Sequence, residues 1–497
     1  MTPRKNNTLV DTGLMRGRQC IFYFSAFLLS CIPLSAKSQS AMDSLFILPD
    51  STVTLNLDEF YGIILGYHPV ITQAALLDDV AQQEIRLARG NFDPKLNTQW
   101  DVKEFEDKSY YNKLNAYVSI PTWFPVNPKV GVEHNDGTYL NPENTINGNR
   151  QFYAGISVPI GRGLFTDERR AAVKQAELFQ EIALADQVKL INKILLSAAK
   201  DYWQWYNSYY QYRLISRSVG IAEEIFKRVK LNAELGEASV MDTVQAKIIL
   251  QTRLVEQQEA LLAFQNAGIL LSNYLWNDLG EPLQLNNSLA PVLTAANRQP
   301  LQPQFLDELV TQARENHPEL LKLRTKLNQL EVERKLATEF LKPQLDLNYT
   351  ALSQPSGALE MNLDDSYKFG LDFSFPVLLR KERSKVALTK LKIQNTEFEQ
   401  QQTQREILNE VNRAFNELNN TQLILAQQSE MASLYDRLLQ AELLNLENGE
   451  SDLFKISIQQ EKLIQSQAKV LKLMAEYEKQ KALLYWAAGL RNLKAEQ

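Results

Sequence analysis

Leu235-Gly236-Glu237-Ala238-Ser239 and Asn448-Gly449-Glu450-Ser451 are two versions of one short turn. Each lies between a very long helical pattern and a shorter one, with glycine where a helix must stop. The long patterns, Gly163–Leu235 and Arg383–Asn448, contain no proline. At 1.5 Å per residue each would extend about 100 Å, far beyond a globular helix, and their many charges exclude a membrane span. Coiled-coil packing is what remains. Ile407, Val411, Ala414 and Leu418 keep heptad spacing. After the turns, Ile248, Val255, Leu262, Ile269 and Trp276 recur every seven residues, as do Ile456, Leu463, Val470, Tyr477 and Leu484. Such narrow seams on polar rods predict pairing of the two hairpins with each other and with further copies.

The rest of the chain repeats around these turns. Leu57–Arg89 and Leu306–Leu341 read as helix, and each carries a His-Pro pair, His68-Pro69 and His317-Pro318. Both histidines precede proline, so capping or turn roles are preferred to metal ligation. Alternating apolar residues follow: Leu96, Thr98, Trp100 and Val102 in the first half, Leu345, Leu347, Tyr349 and Ala351 in the second. A second strand ends each set, through Phe152, Ala154, Ile156 and Val158 to Pro159, and through Phe369, Leu371, Phe373 and Phe375 to Pro376. Period-two patterns of about ten residues suit a tilted transmembrane barrel or the half-buried sheet of a soluble sandwich, and alternation alone favours the sandwich. The first half carries 32 extra residues between its prolines, with alternating runs Leu114-Ala116-Val118-Ile120 and Val130-Val132, then an Asn- and Gly-rich loop to Asn149. This reads as an added hairpin with an exposed loop.

The organisation predicted is therefore a signal peptide over 1–38, a first repeat over 39–278, a linker over 279–303, a second repeat over 304–490 and a loose tail over 491–497. Within the repeats, strands fall at about 95–159 and 343–376, and helical hairpins at about 163–278 and 380–488. Arg16 and Arg18 precede the apolar run Ile21–Leu34, and Ala36-Lys37-Ser38 suits cleavage before Gln39. Met15 is an alternative start to Met1. Leu28-Leu29-Ser30-Cys31 also resembles a lipobox, which would make Cys31 a lipidated N-terminus. Cys20 and Cys31 are the two cysteines of the 497 residues, so the mature chain offers neither disulfide nor thiolate chemistry. The first 40 residues hold five of the 53 bases and one of the 59 acids; the remainder carries 48 and 58, a net charge near −10. An acidic body argues against a nucleic-acid partner.

Catalytic constellations are lacking. There are three histidines, His68, His134 and His317, with no Glu-x-x-His, no paired cysteines and no phosphate loop, so neither metal, cofactor nor enzymatic activity is expected. Tyr202, Trp203, Trp205, Tyr206, Tyr209, Tyr210 and Tyr212 form an aromatic belt whose simplest role is packing between hairpin layers. Glu237 and Asp242 either face a partner or cap the helix start.

Helix, strands, long helix, glycine turn and shorter helix, doubled after a signal peptide, together resemble the TolC family of outer-membrane efflux proteins. The resemblance covers nearly the whole mature chain. Its most specific marks are Gly236-Glu237-Ala238-Ser239-Val240-Met241-Asp242, like the family's Gly-x-x-Ser-x-x-Asp tip, and Gly449-Glu450-Ser451-Asp452-Leu453-Phe454. The resemblance replaces the sandwich by a mostly α fold with a transmembrane β-barrel portion. It implies a homotrimer in outer-membrane lipid, with four strands per chain closing a twelve-stranded barrel and twelve rods forming a periplasmic tunnel. It implies docking of the tips, at Gly236, Ser239, Asp242, Gly449 and Ser451, on a periplasmic adaptor protein served by an inner-membrane RND or ABC transporter. Conduction is then passive. Some members gate with acidic residues six and nine after the second glycine; here those are Lys455 and Ile458, so a gate would pair Asp242 with Lys455. The added hairpin either raises the count to six strands per chain or stands outside as a loop, and an extracellular or rim element is preferred. The competing reading is a periplasmic coiled-coil adaptor or structural protein without a barrel.

Overall fold

The structure, a computed structural model, describes residues 53–237, 239–286, 288–292, 302–353, 366–448 and 450–493. The signal peptide, Cys20, Cys31 and Gly449 lie outside them.

Two long helices set the scale: α3 spans Glu168–Glu234 and α7 spans Arg380–Glu447, 67 and 68 residues, or about 100 Å each. Each turns back into a shorter helix, α4 (Val240–Ser272) and α8 (Leu453–Ala487). The helices before the strands are broken at the His-Pro pairs rather than continuous, into α1 (Leu57–Tyr67) and α2 (Pro69–Arg89), and into α5 (Pro303–Asn316) and α6 (Pro318–Glu339). Proline lacks the N–H that an unbroken helix would need, and the preceding residue is pushed to extended backbone. His68 and His317 take that position as N-caps. The His68 Nδ1 accepts from Val70 N at 3.1 Å and the His317 Nδ1 from Glu319 N at 3.2 Å.

The helices form one layer. α2 and α4 lie end to end against α3, α6 and α8 lie end to end on its other side, and α7 closes the row. Near the middle, the aromatic belt packs the rods together: Tyr202, Trp203, Trp205, Tyr206 and Tyr210 are all buried among Phe60, Ile64, Phe264 and Leu471. The Tyr202 hydroxyl donates to the carbonyls of Leu55 (2.8 Å) and Val292 (3.0 Å), and Tyr210 to that of Pro291 (3.2 Å). Those bonds fasten the short parallel pair β1 (Thr54–Leu55) and β6 (Ala290–Pro291) across the rods. The start of the tail is not loose. Arg491–Leu493 form a 3-10 turn in which Leu493 is buried and Asn492 N donates to Asn192.

Above the rods stands one antiparallel sheet of six strands, in spatial order β2 (Lys95–Phe105), β3 (Lys108–Ser119), β4 (Asn127–Asp136), β5 (Arg150–Pro159), β7 (Gln344–Ser353) and β8 (Tyr367–Ser374). The added hairpin, preferred as a rim element, is therefore part of the sheet itself. β3 and β4 sit between the two strands the first half was read to have, hydrogen-bonded along their length. Glu106 and Asp107 make the β2–β3 turn with φ of 52° and 54°, the left-handed pair of a type I′ turn.

Burial pushes the His317 imidazole down to about 4, against the pull of Glu319 and with help from Lys189. The ring is neutral in the fold, whereas the unfolded chain takes up a proton below about 6.5, so stability falls as pH drops from about 6.5 towards 4. His317→Asn keeps an N-cap without the titrating ring. The expected outcome is a smaller loss of thermal stability over that window than in the parent, read as Tm against pH; equal slopes would assign the pH dependence elsewhere.

Candidate functional site: the hairpin tips and the two-faced sheet

The first tip is a capped, closed turn. Gly236 has φ of +82°, and the bonds Gly236 N to Ala233 O (3.1 Å) and Glu237 N to Asn232 O (2.8 Å) form a Schellman stop. A β-carbon there is disfavoured by the left-handed backbone, not by crowding, since nothing lies within 4 Å. Ser239 then starts α4: its Oγ accepts from Asp242 N and the Asp242 carboxylate accepts from Ser239 N, both at 3.1 Å. Asp242 thus spends one oxygen on its own helix start.

The second tip repeats the stop through Glu450 N to Asn445 O at 2.8 Å. Its helix is capped by Asp452, whose carboxylate accepts from Lys455 N at 2.8 Å. Ser451 instead bonds Glu442 through its hydroxyl. The two turns share the bond that closes the stop and differ in how their next helices are capped. Lys455 keeps its ammonium exposed, and no ion pair joins it to Asp242 among the described residues. Around these polar caps Leu235, Val240, Met241, Val244 and Phe454 are all exposed. They make an apolar end on an otherwise charged rod.

One residue that the sequence reading passed over ties the two hairpins near the tips. Arg253 of α4 is 4% exposed and its guanidinium bonds Glu256 at 2.7 Å and Glu461 of α8 at 2.6 Å. It lies 14 residues into α4 from Ser239, about 21 Å from the turn. Its signal in the sequence was a basic residue inside an apolar stretch, Ile248-Ile249-Leu250-Gln251-Thr252-Arg253-Leu254-Val255.

The sheet has two unlike faces. One carries Leu96, Trp100 and Val102 on β2, Leu114, Ala116 and Val118 on β3, and Val130 and Val132 on β4. It continues through Phe152 and Ile156 on β5, Leu347 and Tyr349 on β7, and Phe369, Leu371 and Phe373 on β8. Cross-strand partners match throughout: Leu96 with Val118, Val118 with Val130, Val130 with Ala154, Ile156 with Tyr349 and Leu347 with Leu371. The opposite face carries Lys95, Asp101, Lys113, Asn115, Lys129, Glu133, Asn348, Lys368 and Asp372. Large apolar side chains on the first face stand in the open, Leu96 at 74% and Phe373 at 66%. A soluble sandwich would cover them; lipid does so directly.

No helix among the described residues is long and apolar enough to cross a membrane by itself. Residues 309–490 match the family model described as outer membrane efflux protein. The second repeat is an outer membrane efflux protein domain. It places the protein in the outer membrane. None of the curated proteins compared matches the sequence. In fold the chain is similar to the outer-membrane channel OprN, with 12% identity, TM-score 0.63, and 88% of this chain and 91% of that one covered. The Campylobacter jejuni outer membrane channel CmeC gives 14%, 0.60, 90% and 91%. The Vibrio cholerae outer membrane protein VceC gives 14%, 0.60, 87% and 96%. The likeness spans both repeats, so the first half of the chain shares the fold although the family model reaches only the second.

Arg253→Met keeps the buried stem but removes both charged hydrogen bonds, each contributing on the order of 1.5 kcal/mol or more. Hydrogen exchange is expected to quicken at residues 246–257 and 456–464 while the belt around Tyr202 is unaffected. Equal protection in both regions would show that the guanidinium does not hold the hairpins together.

Proposed function

We propose that this chain is the outer-membrane exit duct of a tripartite efflux or type I secretion system. Three copies form a membrane barrel continuous with a periplasmic tunnel, and substrates pass passively. The observation that carries the reading is the junction of two kinds of wall in one chain. A sheet apolar on one face and polar on the other leads, through the short connections 160–167 and 375–379, into rods about 100 Å long.

The rods support self-association. In α8 the seam Ile456, Leu463, Val470, Tyr477 and Leu484 is buried, none above 7% exposed. In α4 the matching seam Ile248, Val255, Leu262 and Ile269 is 58–66% exposed. Trp276 lies beyond the end of α4. Seams of equal spacing have unequal cover because α4 is at the edge of the layer and α8 is inside it. A neighbouring copy fits the uncovered seam.

The apolar tip is the surface we assign to a periplasmic adaptor protein, which in turn meets an RND or ABC transporter of the inner membrane. Gly236, Ser239, Asp242, Gly449 and Ser451 are the residues this reading assigns to docking, and Asp242 with Lys455 supplies the charges. Arg253 and Glu461 are the contact we assign to holding the aperture closed.

Purified protein in proteoliposomes is expected to give ion conductance, and native mass to give three copies; trimers without pores would sink the duct in favour of a coiled-coil structural protein. Gly236→Val, which forces a branched residue into a left-handed turn at about 1–2 kcal/mol, and Ser239→Arg are both expected to weaken crosslinking to the adaptor several-fold with the copy number unchanged. Undiminished crosslinking in both variants would remove the tip from the docking surface.

A further inference from the structure

The resemblance to known ducts implies four strands per copy, and the large sheet of this chain has six among the described residues. The inserted pair is built into the wall at three levels. On the apolar face, Leu114, Ala116, Val118, Val130 and Val132 carry the band across β3 and β4 without a gap. On the polar face, the Tyr153 ring of β5 lies across Gly131 of β4, where a β-carbon would be 2.6 Å from the ring, and the Tyr153 hydroxyl donates to Asn115 of β3 at 2.8 Å. One side chain thereby pins three strands. At the lower end, the turn between β3 and β4 is held to the rods. Trp123 packs on Phe92 with ring centres 5.4 Å apart, and the Arg169 guanidinium of α3 donates to Asn127 at 3.2 Å.

The sheet's two open edges coincide with the two open edges of the rod layer. β2 follows α2 after one 3-10 turn, and on α2 Leu76, Val80 and Leu87 are exposed above the uncovered seam of α4. β8 leads directly into α7, where Leu388, Leu391 and Phe398 are exposed. Six is an even number, so β2 and β8 run in opposite directions and can pair across a copy boundary as every other neighbour pair does. An open strand edge does not persist in hydrocarbon, where its amides have no water to bond.

We infer that each copy supplies six strands to the membrane barrel, that β8 of one copy pairs with β2 of the next, and that three copies close an eighteen-stranded wall. The number eighteen rests on the trimer of the proposed duct; the six do not. Girth supports it. Strands about 4.8 Å apart and tilted about 40° give roughly 113 Å around for eighteen strands and roughly 75 Å for twelve. Twelve rods at 8–10 Å spacing give about 96–120 Å. Eighteen strands match the tunnel beneath, so the barrel adds no constriction and the narrowest passage is at the tips. The duct then suits cargo as wide as its tunnel.

The test is a cysteine scan of the full chain in lipid vesicles, with labelling by a membrane-impermeant charged maleimide located by peptide mass. Cysteines at Lys113, Asn115, Tyr117 and Glu133 are expected to react at least tenfold faster than those at Leu114, Ala116, Val118 and Val132. Similar rates for both sets, as a hairpin in water would give, overturn the six-stranded wall. Replacing residues 106–149 by an Asn-Gly turn is expected to lower by about a third the radius of polyethylene glycol that enters from the barrel side; an unchanged cut-off in folded protein overturns the wider mouth. Native mass counts copies independently: three completes eighteen strands, and any other number overturns that total and the trimer together, while the labelling pattern alone decides the six.

Discussion

The narrow heptad seam is the constraint on which the rest depends. A rod about 100 Å long with apolar residues recurring every seven positions holds together only where a neighbouring helix covers that seam. The chain answers with four rods in a row. α3 and the stacked α6/α8 pair lie inside, where Val470 and Leu484 are sealed; α4 and α7 lie outside, where Ile269 and Phe398 are not. A layer with covered interior and uncovered edges is a segment of a cylinder.

The same logic governs the membrane end in different currency. Along the rods the uncovered groups are side chains, and their exposure in water is tolerable. In the sheet they are backbone amides at β2 and β8, whose exposure in hydrocarbon is not. The stronger requirement therefore sits where the protein meets lipid, and closing the sheet brings the rods into register. Rods and strands leave through the same two edges because β2 is the continuation of α2 and β8 the lead into α7. One neighbour satisfies both.

The tips are the opposite kind of structure. Their turns are finished within a single chain by a Schellman stop at Gly236 and by Ser239 and Asp452 as caps. What they leave uncovered is a small apolar surface, with Arg253 holding the hairpins together a few turns away. A rigid end with an exposed apolar patch suits reversible contact with another protein, whereas the open sheet edges suit permanent contact with copies of the same one.

The sequence by itself determined every feature that rests on neighbours along the chain. The hairpin stops, the length of the rods, the heptad seams and the His-Pro caps are local, set by backbone dihedrals and a fixed repeat. The two-faced character of the strands was legible for the same reason, since alternation is a property of consecutive residues. Only the tertiary structure decided what those faces meet. Ile248 and Ile456 belong to identical patterns, yet one is exposed and the other buried, because position in the layer is not encoded in spacing. The added hairpin read as a rim element because the resemblance implies four strands per copy, and alternation within its two runs does not say which strands they pair with. The ring of Tyr153, lying across Gly131 to reach Asn115, is a contact over 38 residues of chain that no local pattern announces. Arg253 was hidden likewise, since its partner Glu461 is 208 residues away and becomes a neighbour only when the two repeats pack side by side.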